Sequence, residues 1–214
     1  MIGRIAASTT KPLQQSQAER RATLVRHFVT VVEPVLEAGE AYADLSVERL
    51  ITLGGVSRAT FYAYFDDKGA LLSAMAADVI GELMETGRHW WELPDDADRE
   101  ALGRALAPPI ASYRRHRAIL GAVADAAAYD ARVREQHSTL VTGVVASLAT
   151  HIRAAQRRGT ACPDLDPART AAWLIWMHER GLQQLVSPAD DAEARRLRKA
   201  LTGVVWRTLY DGYR

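Results

Sequence analysis

Cysteine is almost missing from this 214-residue chain: Cys162 is the one thiol, which excludes a disulfide within the chain and fits a reducing compartment. Long apolar runs are missing too. No stretch approaches the roughly 18 uncharged apolar residues of a membrane span, and no basic-then-apolar leader opens the sequence. The expectation is a cytoplasmic protein with no membrane partner. Neither sign of charge is in surplus, since 27 Lys and Arg stand against 26 Asp and Glu for a net charge of +1. That balance argues against a chain that coats nucleic acid indiscriminately, so any polyanion must be met by local clusters. Strand-like alternation, internal repeats and low-complexity tracts are absent as well. Catalytic signatures follow suit, with no GxGxxG, P-loop, CxxC or GxSxG. The segment HERGL at 178–182 has Leu182 where a zinc-protease helix needs its second histidine, and the six histidines show no ligand spacing. Neither an enzyme, a metal site nor a cofactor is expected.

What the chain does have is helical periodicity, and the expected fold class is all-α. Residues 1–17 lack a period and are rich in Ser, Thr and Gln, which suggests a flexible arm whose Arg4 and Lys11 suit a minor groove. A helix should run from near Ala18 towards Ala38, with Leu24, Val25, Phe28, Val31, Val32, Val35 and Leu36 on its apolar side. Arg20, Arg21 and Arg26 load its first half with positive charge. An interior proline removes a hydrogen bond and clashes with the preceding turn, so Pro34 predicts a kink or an early end.

The informative stretch is LSVERLITLGGVSRATFYAYFDDKGALL, residues 45–72. Ser46 is a good N-cap, and Val47, Leu50 and Ile51 follow at helical spacing. Gly54 and Gly55 end that helix, because glycine accepts a positive φ at no steric cost. Ser57 then caps a second helix on which Phe61 and Phe65 share the buried face. At about 100° per residue, Ala59 and Ala63 point the other way, flanked by Thr60 and Tyr62 with Arg58 at the N-terminal end. Small residues at the centre let a helix sit deep in a major groove while Arg58 and Thr60 reach base edges. Tyr62 and Tyr64 suit phosphates, and Lys68 adds a positive charge to the first turn of the next helix. A bland helical hairpin would bury all these aromatics; two outward tyrosines and a lysine after a glycine turn favour the DNA reader.

Leu71, Leu72, Met75, Ala76, Val79, Ile80, Leu83 and Met84 recur at steps of three and four, which predicts a long amphipathic helix over residues 67–91, ended by LPDDAD. Further helices are expected near residues 98–115, broken at Pro108-Pro109, and over 117–127, 131–158, 167–186 and 190–210. Trp173, Trp176, Met177, Trp206 and Tyr210 concentrate aromatics near the end, where they either line an apolar pocket or fill a core. Leu174, Leu182, Leu185, Leu197, Leu201 and Val205, with Gly181 and Gly203 permitting close approach, suit a homodimer through the last two helices.

The run GGVSRATFYAYFDDKGAL resembles the signature of the TetR (tetracycline repressor) family, closely over residues 44–72 and in architecture beyond them. The resemblance implies a helix-turn-helix domain over residues 18–66 and a helical ligand-binding and dimerisation domain over 67–214. It implies that Ser57, Arg58, Ala59, Thr60, Tyr62, Tyr64 and Lys68 meet double-stranded operator DNA. Two departures stand out: the usual alanine before the turn glycine is Gly54, and a bulky base-facing residue is replaced by Ala63. Further on, MHERGLQQLV and a last helix bearing Trp and Tyr resemble the mycobacterial ethionamide-resistance repressor group. That likeness implies an apolar channel and makes Trp173, Met177, His178 and Trp206 candidate contacts for a small apolar ligand. The expected function is a dimeric repressor of a palindromic operator, released by such a ligand. A constitutive DNA-binding dimer and a helical small-molecule binder without DNA are the alternatives.

Overall fold

Eight of the ten α-helices found among the described residues begin at a Ser or Asp whose side chain accepts an exposed N–H group of the first turn. Such caps satisfy donors that a helix cannot bond internally, each stabilising its helix by about 1 kcal/mol. The computed structural model describes residues 16–213 and is all-α, with no strand among them. The arm predicted for residues 1–17 lies almost wholly outside that range. The elements are α1 (Gln17–Glu37), a 3-10 turn (Tyr42–Asp44), α2 (Val47–Gly54), α3 (Arg58–Tyr64) and α4 (Lys68–Trp91). After these come α5 (Arg99–Ala105), α6 (Ala107–Arg115), α7 (Arg117–Tyr129), α8 (Ala131–Arg158), α9 (Pro167–Gly181), a π turn (Leu182–Val186) and α10 (Asp191–Leu209).

Helix α1 opens with a capping box between Ser16 and Glu19 and does not stop at Pro34. Pro34 is exposed and sits one turn from the C-terminus, so it removes one hydrogen bond while the Ala38 N–H still reaches the Pro34 carbonyl at 3.0 Å. The proline pair at 108–109 behaves differently: α5 ends before it, and α6 takes both prolines into its first turn, where the missing N–H groups are not needed.

Two apolar clusters hold the molecule. In the first, Phe28 of α1 meets Phe61 and Phe65 edge-on at centroid distances of 6.2 and 6.0 Å, together with Leu50 and the first half of α4. Ile119, Val123 and Ala126 of α7 and Val133 of α8 close the same cluster. A division at residue 66 therefore follows the reading helix and not the packing. The second cluster joins Trp90 at the far end of α4 to α5, α6, α8, α9 and α10. Helix α4 contributes to both, which makes it the mechanical link between them.

Candidate nucleic-acid interface and cavity

The turn between α2 and α3 depends on two glycines for two reasons. Gly55 sits at φ +59°, in the left-handed region, and caps α2. Gly54 has an ordinary helical backbone, but a Cβ there would lie 2.6 Å from Cε1 and 2.7 Å from Cζ of Phe28. The larger aromatic ring thus occupies the volume of the alanine methyl that Gly54 lacks. Val56 folds back, its N–H on the Ile51 carbonyl at 3.2 Å, and its side chain packs against the first cluster.

Helix α3 buries Phe61 alone and leaves Arg58, Ala59, Thr60, Tyr62 and Ala63 exposed. Ser57 caps it, accepting the Thr60 N–H at 3.0 Å, and its hydroxyl lies 2.8 Å from that of Thr60. Arg58 rests between the Glu48 carboxylate, at 2.8 Å, and the face of Tyr62, at 5.6 Å. Both members of that ion pair are exposed, so it contributes about 0–1 kcal/mol and yields readily to a phosphate or base. Tyr62 is 45% exposed, whereas Tyr64 is half-buried against the first cluster. Lys68 points its ammonium at the carbonyls of Ala43 and Leu45, which ties the 3-10 turn to the start of α4; the Tyr42 hydroxyl donates back to the Lys68 carbonyl at 2.7 Å. Arg49 is exposed on α2 without an acidic partner among the described residues. Its signal was an arginine three residues past the Ser46 cap.

A joint of polar groups around the buried His116 connects α1 with the rest of the chain. His116 Nδ1 lies 2.6 Å from Glu33 of α1, and its Nε2 lies 3.2 Å from Glu82 of α4. The Ser112 hydroxyl donates to Glu82 at 2.7 Å and Arg115 reaches the same carboxylate at 3.0 Å. Ionised carboxylates only accept, so His116 must carry both ring protons or Glu33 must hold one. Burial pushes the Glu33 carboxyl above its usual range, while the Ser112 hydrogen bond holds Glu82 below it.

Beyond the joint, α4, α6, α7, α8, α9 and α10 line an apolar cavity of about 180 Å³. Leu83, Gly87 and Trp90 face it from α4, Leu120 and Ala124 from α7, Val141 and Leu148 from α8. Its polar groups are few: Tyr113, His137, His178, Glu179 and Gln183. His137 Nε2 lies 3.3 Å from Glu179. Burial pushes the Tyr113 hydroxyl up to about 12, with Glu179 adding to the effect. Burial depresses His178 to about 4, so the ring is neutral at physiological pH. His178 lines the cavity, and its nitrogens take no hydrogen-bond partner among the described residues. The π turn widens the end of α9 where Leu182 and Gln183 meet this space.

Of the four predicted ligand contacts, His178 alone lines the cavity. Trp173 is 79% exposed and Met177 42% exposed, both on the outer side of α9 with Trp176. The helical period explains this correction: Leu174, His178 and Leu182 share the inward face at steps of four, whereas Trp173 and Met177 lie one residue round from it. Trp206 packs in the second cluster against Tyr210, their centroids 5.6 Å apart, and does not line the cavity. The predicted dimer residues divide as well. Leu174, Leu182 and Val205 are buried in the chain's own core, and Gly203 lies under the Arg99 guanidinium; Leu185 and Val204 are exposed. Among the described residues no His, Cys, Asp and Glu group could hold a metal ion, and no helix is long and apolar enough to cross a membrane.

Comparison with known proteins adds three findings. The family model for the transcriptional regulator EthR, C-terminal domain, matches residues 102–211. The HTH-type transcriptional regulator EthR of Mycobacterium tuberculosis is 33% identical over 141 residues, which cover 65% of each chain. The chain thus spans 65% of the length of that curated relative. Among solved structures, a TetR-family transcriptional regulator from Mesorhizobium loti superposes with a TM-score of 0.69 at 17% identity, over 92% of this chain and all of that one. A transcriptional regulator from Saccharomonospora viridis in complex with choline gives 0.63 at 17% identity, over 91% and 99%. These two likenesses speak for the fold alone.

Proposed function

Because the chain belongs to the TetR family of transcriptional regulators, beside EthR, we propose that it is a ligand-responsive repressor that binds a palindromic operator as a homodimer. The observation that carries the reading is α3 itself: a capped helix after a glycine turn, with one buried residue and an outward face of Arg58, Ala59, Thr60, Tyr62 and Ala63. Small centre, basic N-terminal end and flanking tyrosine are what entry into a major groove requires. In this reading Arg58 leaves Glu48 for the DNA, Ser57 and Tyr64 flank the contact, Arg49 faces phosphates, and Lys68 turns from the Ala43 and Leu45 carbonyls to a phosphate.

Residues 18–66 are the DNA-reading unit and residues 67–214 the ligand-binding and dimerisation unit. The exposed apolar side of α9 and α10, with Trp173, Trp176, Met177, Leu185 and Val204, is the surface that pairs two copies. The ligand is compact. A dry cavity of ~150 Å³ holds one benzene ring, so about 180 Å³ suits a single-ring apolar molecule. One neutral polar group on it would meet His178 or Tyr113. Since α4 lines the cavity with Leu83 and Trp90 and begins beside α3, a ligand that tilts α4 changes how the reading helices are spaced. It does so only by binding the DNA-incompetent arrangement more tightly. The open cavity disfavours a constitutive dimer with a filled interior.

Fluorescence anisotropy on the DNA upstream of the protein's own coding region, followed by a genome-wide selection of bound fragments, tests this reading. Salt-sensitive binding weakened at least tenfold by Tyr62→Ala is expected; absence of specific DNA in both experiments, with apolar ligands still raising the melting temperature, overturns it in favour of a small-molecule binder.

A further inference from the structure

A second concave site lies between α5 and α10, lined by Arg99, Glu100, Gly103, Arg104, Arg195, Arg198, Lys199 and Thr202. Five of these eight side chains are cationic and one is acidic. Glu100 is already taken by Arg104 at 2.9 Å, which leaves Arg99, Arg195, Arg198 and Lys199 with no carboxylate in ion-pair range among the described residues. In a chain whose whole net charge is +1, four converging unpaired cations are a local surplus. Arg196, on the same helix but outside the groove lining, is paired with Glu193.

The floor is shaped to keep it open. A Cβ at Gly203 would lie 2.5 Å from Nη2 of Arg99, so the absence of a side chain lets that guanidinium lie flat across α10. Gly103 of α5 faces Thr202, 3.4 Å from where its own Cβ would be, so the two helices approach closely. Along α10 the cationic edge from Arg195 to Thr202 is seven residues, about 10 Å at 1.5 Å per residue. Arg195 and Val204 are nine residues apart, about half a turn at 100° each, so the groove faces away from the apolar side of α10 and stays open in a dimer.

From this arrangement we propose that the α5–α10 groove binds a small polyphosphorylated anion, of the nucleoside-triphosphate type, at a site separate from the apolar cavity and from α3. Arginine forks match phosphate oxygens two at a time, and three of the four free cations are arginines. The anion would pin α5 to α10.

Isothermal titration calorimetry of the full-length protein with inorganic tripolyphosphate, in low-salt buffer free of divalent cations, tests the site. Saturable binding is expected, weakened at least tenfold in the Arg195→Gln, Lys199→Gln double variant and within twofold of wild type in Arg58→Ala. Arg198→Gln serves as a second probe should the double variant fold poorly. No saturable binding by wild type, or a loss caused by Arg58→Ala while the groove variants bind normally, would overturn the proposal.

Discussion

Alanine at position 54 should weaken this protein although it favours helix. On an exposed helix, Gly→Ala stabilises by about 1 kcal/mol. Here the new methyl would stand 2.6 Å from the Phe28 ring, roughly 1 Å inside the ~3.5–4.0 Å at which carbon atoms rest. The ring cannot step aside, being fully buried and held edge-on by Phe61 and Phe65. Overpacking of this kind costs about 1–3 kcal/mol, so the net effect of Gly54→Ala is a destabilisation of up to about 2 kcal/mol. For a chain of this size that lowers the melting temperature by up to about 8 °C. The carbonyl of Gly54 also meets His27 Nε2 at 2.9 Å, so a shifted turn disturbs the seating of α2 and α3. Urea denaturation of a double-mutant cycle with Phe28→Leu measures the effect, and the penalty at 54 should vanish when the ring is gone. Gly54→Ala raising stability in the wild-type background, or costing the same with Leu at 28, would refute the steric reasoning.

Three further outcomes are expected. Replacing Trp173 and Leu185 together by Glu should turn the dimer into a monomer in light scattering at micromolar concentration while leaving the circular dichroism unchanged. His178 has a folded pKa of about 4 against 6.5 when free. Its stabilisation is therefore complete above pH 6.5 and lost as the pH falls through 4, by at most about 3 kcal/mol; His178→Gln should flatten the wild-type loss of stability in that window. Finally, His116→Leu removes the link between Glu33 and Glu82, so a ligand that still raises the melting temperature should shift DNA affinity at least about fivefold less than in wild type.

Much of this was legible because it is local. Ser16, Ser46, Ser57, Asp67, Asp166 and their fellows cap helices through bonds to residues two or three positions on, and the glycine turn declares itself by Gly55. What escaped depends on neighbours distant in sequence. Tyr113, His137 and Glu179 converge on one cavity from three helices, with no shared spacing to announce it. His116 reads as a surface residue between two arginines until Glu33 and Glu82 are found on either side. Trp173 and Met177 turn outward because two adjacent faces of one helix differ by a single residue, and aromatic character alone does not say which face turns inward. Pro34 does not end α1, because a proline one turn from the helix end removes a single hydrogen bond. The close fit of Gly54 to Phe28 joins residues 26 apart and has no local signature.

The most direct measurement titrates an apolar ligand, found by its effect on melting temperature, into the preformed complex with operator DNA. Wild type should release the DNA as the cavity fills. A variant with the cavity plugged by Ala124→Trp should bind the same DNA and stay bound at every ligand concentration. Equal release from both proteins would contradict control through this cavity, as would a wild-type complex indifferent to a ligand that demonstrably binds.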